Sequence, residues 1–438
     1  MPQELLVEIR QNPSANFTRL PRQRSPREAD DARDARNPED AEDPLPLDLI
    51  VSLRRRRDDT LDVHAFRPGE RTPRTRPHRA ELAVTGTKLL ARAARLRTAW
   101  RDQLVRYATV DDFGMPDDYP FASAVDVSHL RPVAEGRAAE LAEEGRYFLE
   151  TMLDGPGREL TVFREYLNRT LTEHGPLRIS FDSDLHLPWP MLAVDGGPGP
   201  DGRPDPWADF LGHRHQIEQT GAAYPPIQPP HPARPRPVTS LNTDDTLESI
   251  GRAPEVRKLL EDRSHLTVRT ESRGLLDALS RAVLDEDVMY FWCHGQFVAD
   301  GSAFKQLAVR LSDDRHIDAD LVRRHRRRHL DAPEAMFRPF VLLNACHTGQ
   351  SAEGELEHLG RALVDLGAEG VLGPQIEIPQ VFAAEYAFAF LDLYLTGGLT
   401  AGEITQTLVR RFAREHGNPL ALTYSLHCGI DSILELTP

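Results

Sequence analysis

The sequence predicts an α/β protein: a mostly parallel sheet flanked by helices on both faces, with a small β-rich N-terminal module. Three observations predict it. Two apolar runs of strand length, VMYFWC at 288–293 and FVLLNA at 340–345, show almost no polar alternation, as expected of strands buried on both faces of a parallel sheet. Strand-like and helix-like segments alternate through the C-terminal two thirds, which is the pattern of such sheets. Near the N-terminus the apolar residues instead alternate with period two, the mark of half-buried strands.

The elements follow in order. LLVEI at 5–9, LDLIVSL at 47–53 and LDVHAF at 61–66 are the N-terminal strand candidates. Between the first two, residues 22–44 are densely charged and poor in large apolar side chains, a composition that cannot bury enough surface to order itself. A helix is expected over 88–105, and residues 1–130 form one module with a partner-binding or regulatory role. A helical stretch over 134–172 opens a second region, 131–438. Its strands are placed at 177–181, 266–270, 288–293, 340–345, 370–372 and 420–426. Its helices are placed at 274–284, 355–366, 381–395 and 401–415. Residues 195–238 are rich in Pro and Gly, including YPPIQPPHPARPRP at 224–237, and read as a solvated insert.

Composition bounds the class. The chain has 438 residues, 40% hydrophobic and 28% charged, which suits a globular protein of two or three domains. No apolar run reaches membrane-spanning length. MPQELLVEIR lacks a basic region followed by an apolar core, so no secretion signal is expected. Three cysteines, none spaced for zinc, read as reduced thiols of a cytoplasmic protein. The net charge of −15 argues against generic nucleic-acid binding. No cofactor or metal is expected.

The chemistry concentrates in two motifs about fifty residues apart. YFWCHG at 290–295 ends a strand at His294, and FVLLNACHTG at 340–349 ends one at Cys346. Parallel sheets present ligands at the carboxyl ends of their strands, so both side chains are expected at one sheet edge. A thiol and an imidazole together are a nucleophile and its base. Gly295 lets the backbone approach a substrate carbonyl closely. Cys293 precedes His294 but points to the opposite face of the strand, and Cys428 reads as structural. His347 diverges from Cys346 and reads as a rim residue.

These motifs resemble those of the CHAT domain, a caspase-like and separase-related bacterial peptidase family. HGQF at 294–297 and NACHTG at 344–349 match its HGxF and ACxTG patterns, and LGAEGVLGPQ at 366–375 matches the apolar strand that follows. LPWPML at 187–192 is similar to the family's LPWExL but carries Pro190 where Glu is usual. The resemblance covers roughly the last three hundred residues. It implies a caspase-like fold and a cysteine endopeptidase with His294 as base and Cys346 as nucleophile. It also implies an oxyanion hole from the backbone of Gly295 and Cys346, a protein substrate, and control by a regulatory partner in a bacterial conflict or antiphage system. The alternative is a catalytically idle CHAT fold serving as an interaction platform. A nucleotide-binding protein is disfavoured, since no G-x-G-x-x-G or Walker A segment follows a strand.

Relatives by resemblance differ in substrate preference, some taking Asp and others Arg, and carboxylates near strand ends are the candidates for a pocket here. Glu377, after the 370–372 strand, and Asp182 and Asp184, after the first strand of this region, are candidates to receive a basic side chain. His213 and His215 form an H-x-H without an evident third ligand and read as structural. The RRHRRR run at 323–328 reads as a solvated helix face.

Overall fold

The computed structural model describes residues 47–68, 78–173, 175–197, 205–221, 234–299, 305–313, 315–329, 335–347 and 356–437. The expected strand at 5–9, the charged segment 22–44, most of the Pro-rich stretch 224–237 and the turn after His347 lie outside them.

In chain order the strands are β1 (Leu49–Arg55), β2 (Leu61–Phe66), β3 (His78–Leu82), β4 (Arg178–Ser183), β5 (Gln216–Gln219), β6 (Val238–Thr243), β7 (His265–Arg269), β8 (Val283–Leu284), β9 (Val288–Ala299), β10 (Lys305–Arg310), β11 (His316–Ile317), β12 (Met336–Phe337), β13 (Phe340–His347), β14 (Gly370–Pro374) and β15 (Tyr424–His427). All but β8 and β12 join one 13-stranded sheet. Its centre is β7-β6-β9-β13-β14, every neighbour parallel. β15 then runs antiparallel to β14. β5, β4 and β1 follow β15 in parallel. The sheet is therefore two parallel blocks pointing in opposite directions.

The central strands are buried on both faces, as their composition predicts. Phe340, Leu342, Tyr290 and Trp292 enter one core. Val341, Leu343, Met289, Phe291 and Cys293 enter the other. Each such side chain removed from water stabilises the fold by about 1.5–3 kcal/mol. Helices Ala253–Arg263, Gln380–Tyr394 and Ala401–His416 cover the first face, and helices Ser272–Leu279, Ala319–Arg326 and Leu356–Asp365 cover the second.

Several expectations are corrected. The N-terminal strands do not form a body apart. β1 pairs in parallel with β4, and Leu49, Val51 and Leu53 share the core of the C-terminal region. The stretch 134–172 is two helices, Arg131–Met152 and Arg158–Glu173, parted at Asp154-Gly155-Pro156-Gly157, where Gly and Pro end helical pairing. The supposed insert 195–238 contains buried Trp207, Phe210 and Leu211 and the strand β5. β6, at its end, was not expected. Its polar sequence VTSLNT follows Pro237 and lacks an apolar strand pattern, yet it is buried because its side chains find partners. Ser240 Oγ donates to Glu286 Oε2, and Asn242 Nδ2 to the Tyr290 carbonyl at 3.4 Å. The terminal strand is shorter than expected, since Pro419–Thr423 is a 3₁₀ turn.

Candidate active site

β9 and β13 hold the two motifs in fixed register: Asn344 opposite Trp292, Ala345 opposite Cys293, Cys346 opposite His294 and His347 opposite Gly295. Side chains alternate along a strand. Positions 290, 292 and 294 therefore share the face of the first core, and positions 342 and 344 share it too. Cys293 faces the second core and is fully buried. β13 is anchored by Asn344, whose Nδ2 donates to the Ala383 carbonyl and whose Oδ1 accepts from Tyr424 Oη, each at 2.9 Å.

On its other flank β9 changes partner at His294. β6 pairs with it only as far as Thr243 opposite Trp292. The Asp244 amide donates to the Trp292 carbonyl at 3.1 Å, and the chain then turns away as the 3₁₀ segment Asp245–Leu247. β10 takes over, with Arg310 opposite His294. The turn is held by Trp292 Nε1, which donates to the Leu247 carbonyl at 3.0 Å, and by the Asp245 amide, which donates to Ser312 Oγ at 2.9 Å.

This switch brings up a carboxylate that sequence reading missed. Asp244 Oδ2 lies 3.7 Å from His294 Nε2, with the imidazole 21% and the carboxylate 5% exposed. The distance is beyond a hydrogen bond but within ion-pair reach of an imidazolium. Thr246 Oγ1 stands 3.5 Å from the same nitrogen. A buried carboxylate needs hydrogen bonds. Asp244 Oδ1 accepts two, from the Thr246 amide at 2.9 Å and from Thr246 Oγ1 at 2.7 Å. The only sequence signal was a TDDT turn after a polar strand.

The remaining candidates separate. Gly295 is a strand residue rather than a turn, flanked by Val309 on β10 and His347 on β13. Glu377 follows β14 at the same sheet edge as Cys346. It is half-buried between buried Ile376 and Ile378 and carries no ion pair among the described residues. Asp182 and Asp184 do not come to this edge. They end β4, which runs opposite to β13, so they emerge at the other edge of the sheet. There both pair with Arg54, Asp182 accepts from Thr220 Oγ1 at 2.9 Å, and Asp184 accepts from the Arg55 amide at 2.9 Å.

The sites read as structural are built that way. His215 Nδ1 accepts from the Leu177 amide at 3.2 Å and its Nε2 faces the Leu171 carbonyl at 3.1 Å. Burial lowers the His213 pKa to about 3. Among the described residues no group of three metal-capable side chains occurs. The Arg-rich run departs from the solvated face expected of it: Arg326 is buried with its guanidinium 4.9 Å over Phe337, while Arg323 faces Asp320 at 3.4 Å. No helix among the described residues is long and apolar enough to cross a membrane.

The CHAT domain family model matches residues 128–411. The chain belongs to the CHAT domain family. Within this CHAT protein the match begins close to the expected boundary at 130, yet β1–β3, which precede it, extend the same sheet. A probable protease of Vitiosangium sp. (strain GDMCC 1.1324) is 31% identical over 139 residues, which is 31% of this chain and 17% of that protein. The chain thus matches less than a fifth of that relative's length. Among solved structures, the Saccharomyces cerevisiae separase–securin complex aligns with a TM-score of 0.43 at 9% identity, over 89% of this chain and 30% of that one. The Arg-specific cysteine proteinase gingipain R aligns with a TM-score of 0.34 at 11% identity, over 80% and 77%.

Proposed function

We propose that this CHAT protein is a cysteine endopeptidase. The observation that carries the reading is the register of Cys346 against His294, with the Asp244 carboxylate 3.7 Å behind the imidazole. In this mechanism His294 takes the thiol proton, and the Cys346 thiolate attacks the scissile carbonyl. The oxyanion of the tetrahedral intermediate is met by backbone N–H groups of Gly295 and Cys346, donors worth about 2.7–4 kcal/mol where they have been removed elsewhere. The imidazolium then protonates the leaving amine, and water, deprotonated by His294, hydrolyses the thioester. Asp244 stabilises the imidazolium formed in the first step and holds the ring's orientation.

Glu377 is the carboxylate we assign to a basic side chain before the scissile bond. Half-buried and without an ion pair among the described residues, it is open to a basic side chain of a ligand. Control by a partner protein, in a bacterial conflict system, is the regulatory part of the proposal and rests on the family resemblance. It implies a low basal rate that the partner raises by ordering the site.

The test is labelling with a peptide-based thiol-reactive probe followed by site mapping. Modification is expected at Cys346 and lost in His294→Ala. Labelling of Cys293, or of Cys346 with undiminished rate in His294→Ala, overturns the assignment.

A further inference from the structure

Residues 110–119 are all exposed, yet they are not loose. They form a hairpin. Val110 bridges Pro116, the Thr109 amide donates to the Asp118 carbonyl at 2.8 Å, and the Asp117 amide returns to Thr109 at 2.9 Å. At the tip Asp111 Oδ1 accepts from the amides of Phe113 and Met115 at 2.9 and 2.8 Å. Gly114, at φ +77°, makes the turn.

This finger carries the wrong residues for solvent. Val110, Phe113, Met115 and Tyr119 are 64, 91, 62 and 45% exposed, four of the nine exposed large hydrophobics among the described residues. They sit among Asp111, Asp112, Asp117 and Asp118, with no Lys or Arg from 107 to 119. A rigid apolar tip in an acidic collar loses little entropy on docking, and a contiguous exposed apolar group of this kind marks a contact surface.

The complement lies on the same chain. Residues 47–106 hold fifteen Lys and Arg against seven Asp and Glu, in a protein that totals 53 against 68. Six of these fifteen cations are consumed locally: Arg54, Arg55, Arg56, Arg79, Arg101 and Arg106 each face a carboxylate. Lys88, Arg92 and Arg95 on the helix Gly86–Trp100 carry no ion pair among the described residues. Their i, i+4, i+7 spacing makes one stripe, with exposed Ala91 in its middle. Such a stripe offers guanidinium planes and aliphatic stems to an aromatic ring and charge to the aspartates. Finger and stripe cannot meet within one molecule. The helix continues without a break through Arg101–Val105, which puts about 20 Å of rigid rod between Arg92 and the base of the finger.

We propose that the acidic finger of one copy docks on the Lys88–Arg92–Arg95 stripe of a second copy, a head-to-tail self-association. Such a heterologous contact propagates into rings or filaments rather than stopping at a symmetric pair. Its affinity falls as salt screens it.

Sedimentation velocity of the full chain tests this across a concentration series at low salt, ~50 mM, and at ~500 mM. Concentration-dependent growth in mass is expected at low salt and its loss at high salt. Phe113→Ala/Met115→Ala, Asp112→Lys/Asp117→Lys and Lys88→Glu/Arg95→Glu are each expected to weaken association at least ~10-fold. An equimolar mixture of the two charge-reversed proteins is expected to associate again, because each then presents what the other lacks. All substitutions are at the surface, and an unchanged melting temperature confirms intact folding. A monomer at every concentration, an assembly indifferent to the finger substitutions, or a charge-reversed mixture that stays monomeric overturns the proposal.

Discussion

β13 and β4 carry similar chemistry at their ends and differ in where it goes. Each is a largely buried strand with reactive or charged residues at its carboxyl end, Cys346 in one and Asp182 and Asp184 in the other. β13 belongs to the block running with β9, so its end meets His294 and Asp244. β4 belongs to the reversed block beyond the antiparallel β14–β15 pair, so its carboxylates emerge at the far edge and close on Arg54. Chemistry at a strand end matters only once the strand's direction is known.

The largest effect that sharpens this contrast is at the proposed dyad. Cys346→Ala and His294→Ala are each expected to lower kcat by ~10³-fold or more, while Cys293→Ser keeps most activity. A dead Cys293→Ser beside an active Cys346→Ala would reverse the assignment of faces. Next comes Asp244→Asn, which preserves the oxygen that caps the turn but removes the charge. It is expected to lower kcat ~10–100-fold with little change in KM, as the imidazolium loses its counter-charge. Equal effects from Asp244→Asn and Thr246→Ala would mark the carboxylate as structural only.

Stability separates the blocks in another way. His213 and His427, packed around the reversed block, are pushed down by burial to about 3 and about 4. Both are neutral in the fold where the unfolded chain binds a proton. Their contribution is therefore present above pH ~6.5 and is lost as pH falls toward those values, by up to ~2 kcal/mol per histidine at pH ~5. Thermal melting at pH 7.5 and pH 5 reads the loss, and His427→Gln is expected to flatten it. An unchanged slope in that variant would remove His427 from the account.

The smallest effects test the acids directly. Glu377→Gln is expected to lower kcat/KM for substrates with Arg or Lys before the scissile bond by ~10-fold, leaving neutral residues unchanged. Asp184→Asn, at the far edge, is expected to leave that preference untouched and to cost at most ~1 kcal/mol of stability, since its partner Arg54 is part-exposed. A shift in preference from Asp184→Asn and none from Glu377→Gln would exchange the two edges.

Local pattern alone determined much of this protein. Unbroken apolar runs marked β9 and β13, and period-two alternation marked β1 and β2, because burial on two faces or one writes itself directly into composition. The fates of His294 and Cys293 followed from strand alternation, since neighbours in a strand face opposite cores. Three things needed the fold. β6 was hidden because Thr, Ser and Asn are turn residues until neighbouring strands and Glu286 satisfy them. Asp244 was hidden with it, since its value comes from where β6 stops beside β9 rather than from its neighbours in sequence. The direction of β4 was hidden because a strand reads the same in either orientation, and only the antiparallel β14–β15 pair, set by long-range hydrogen bonding, decides which edge its carboxylates reach.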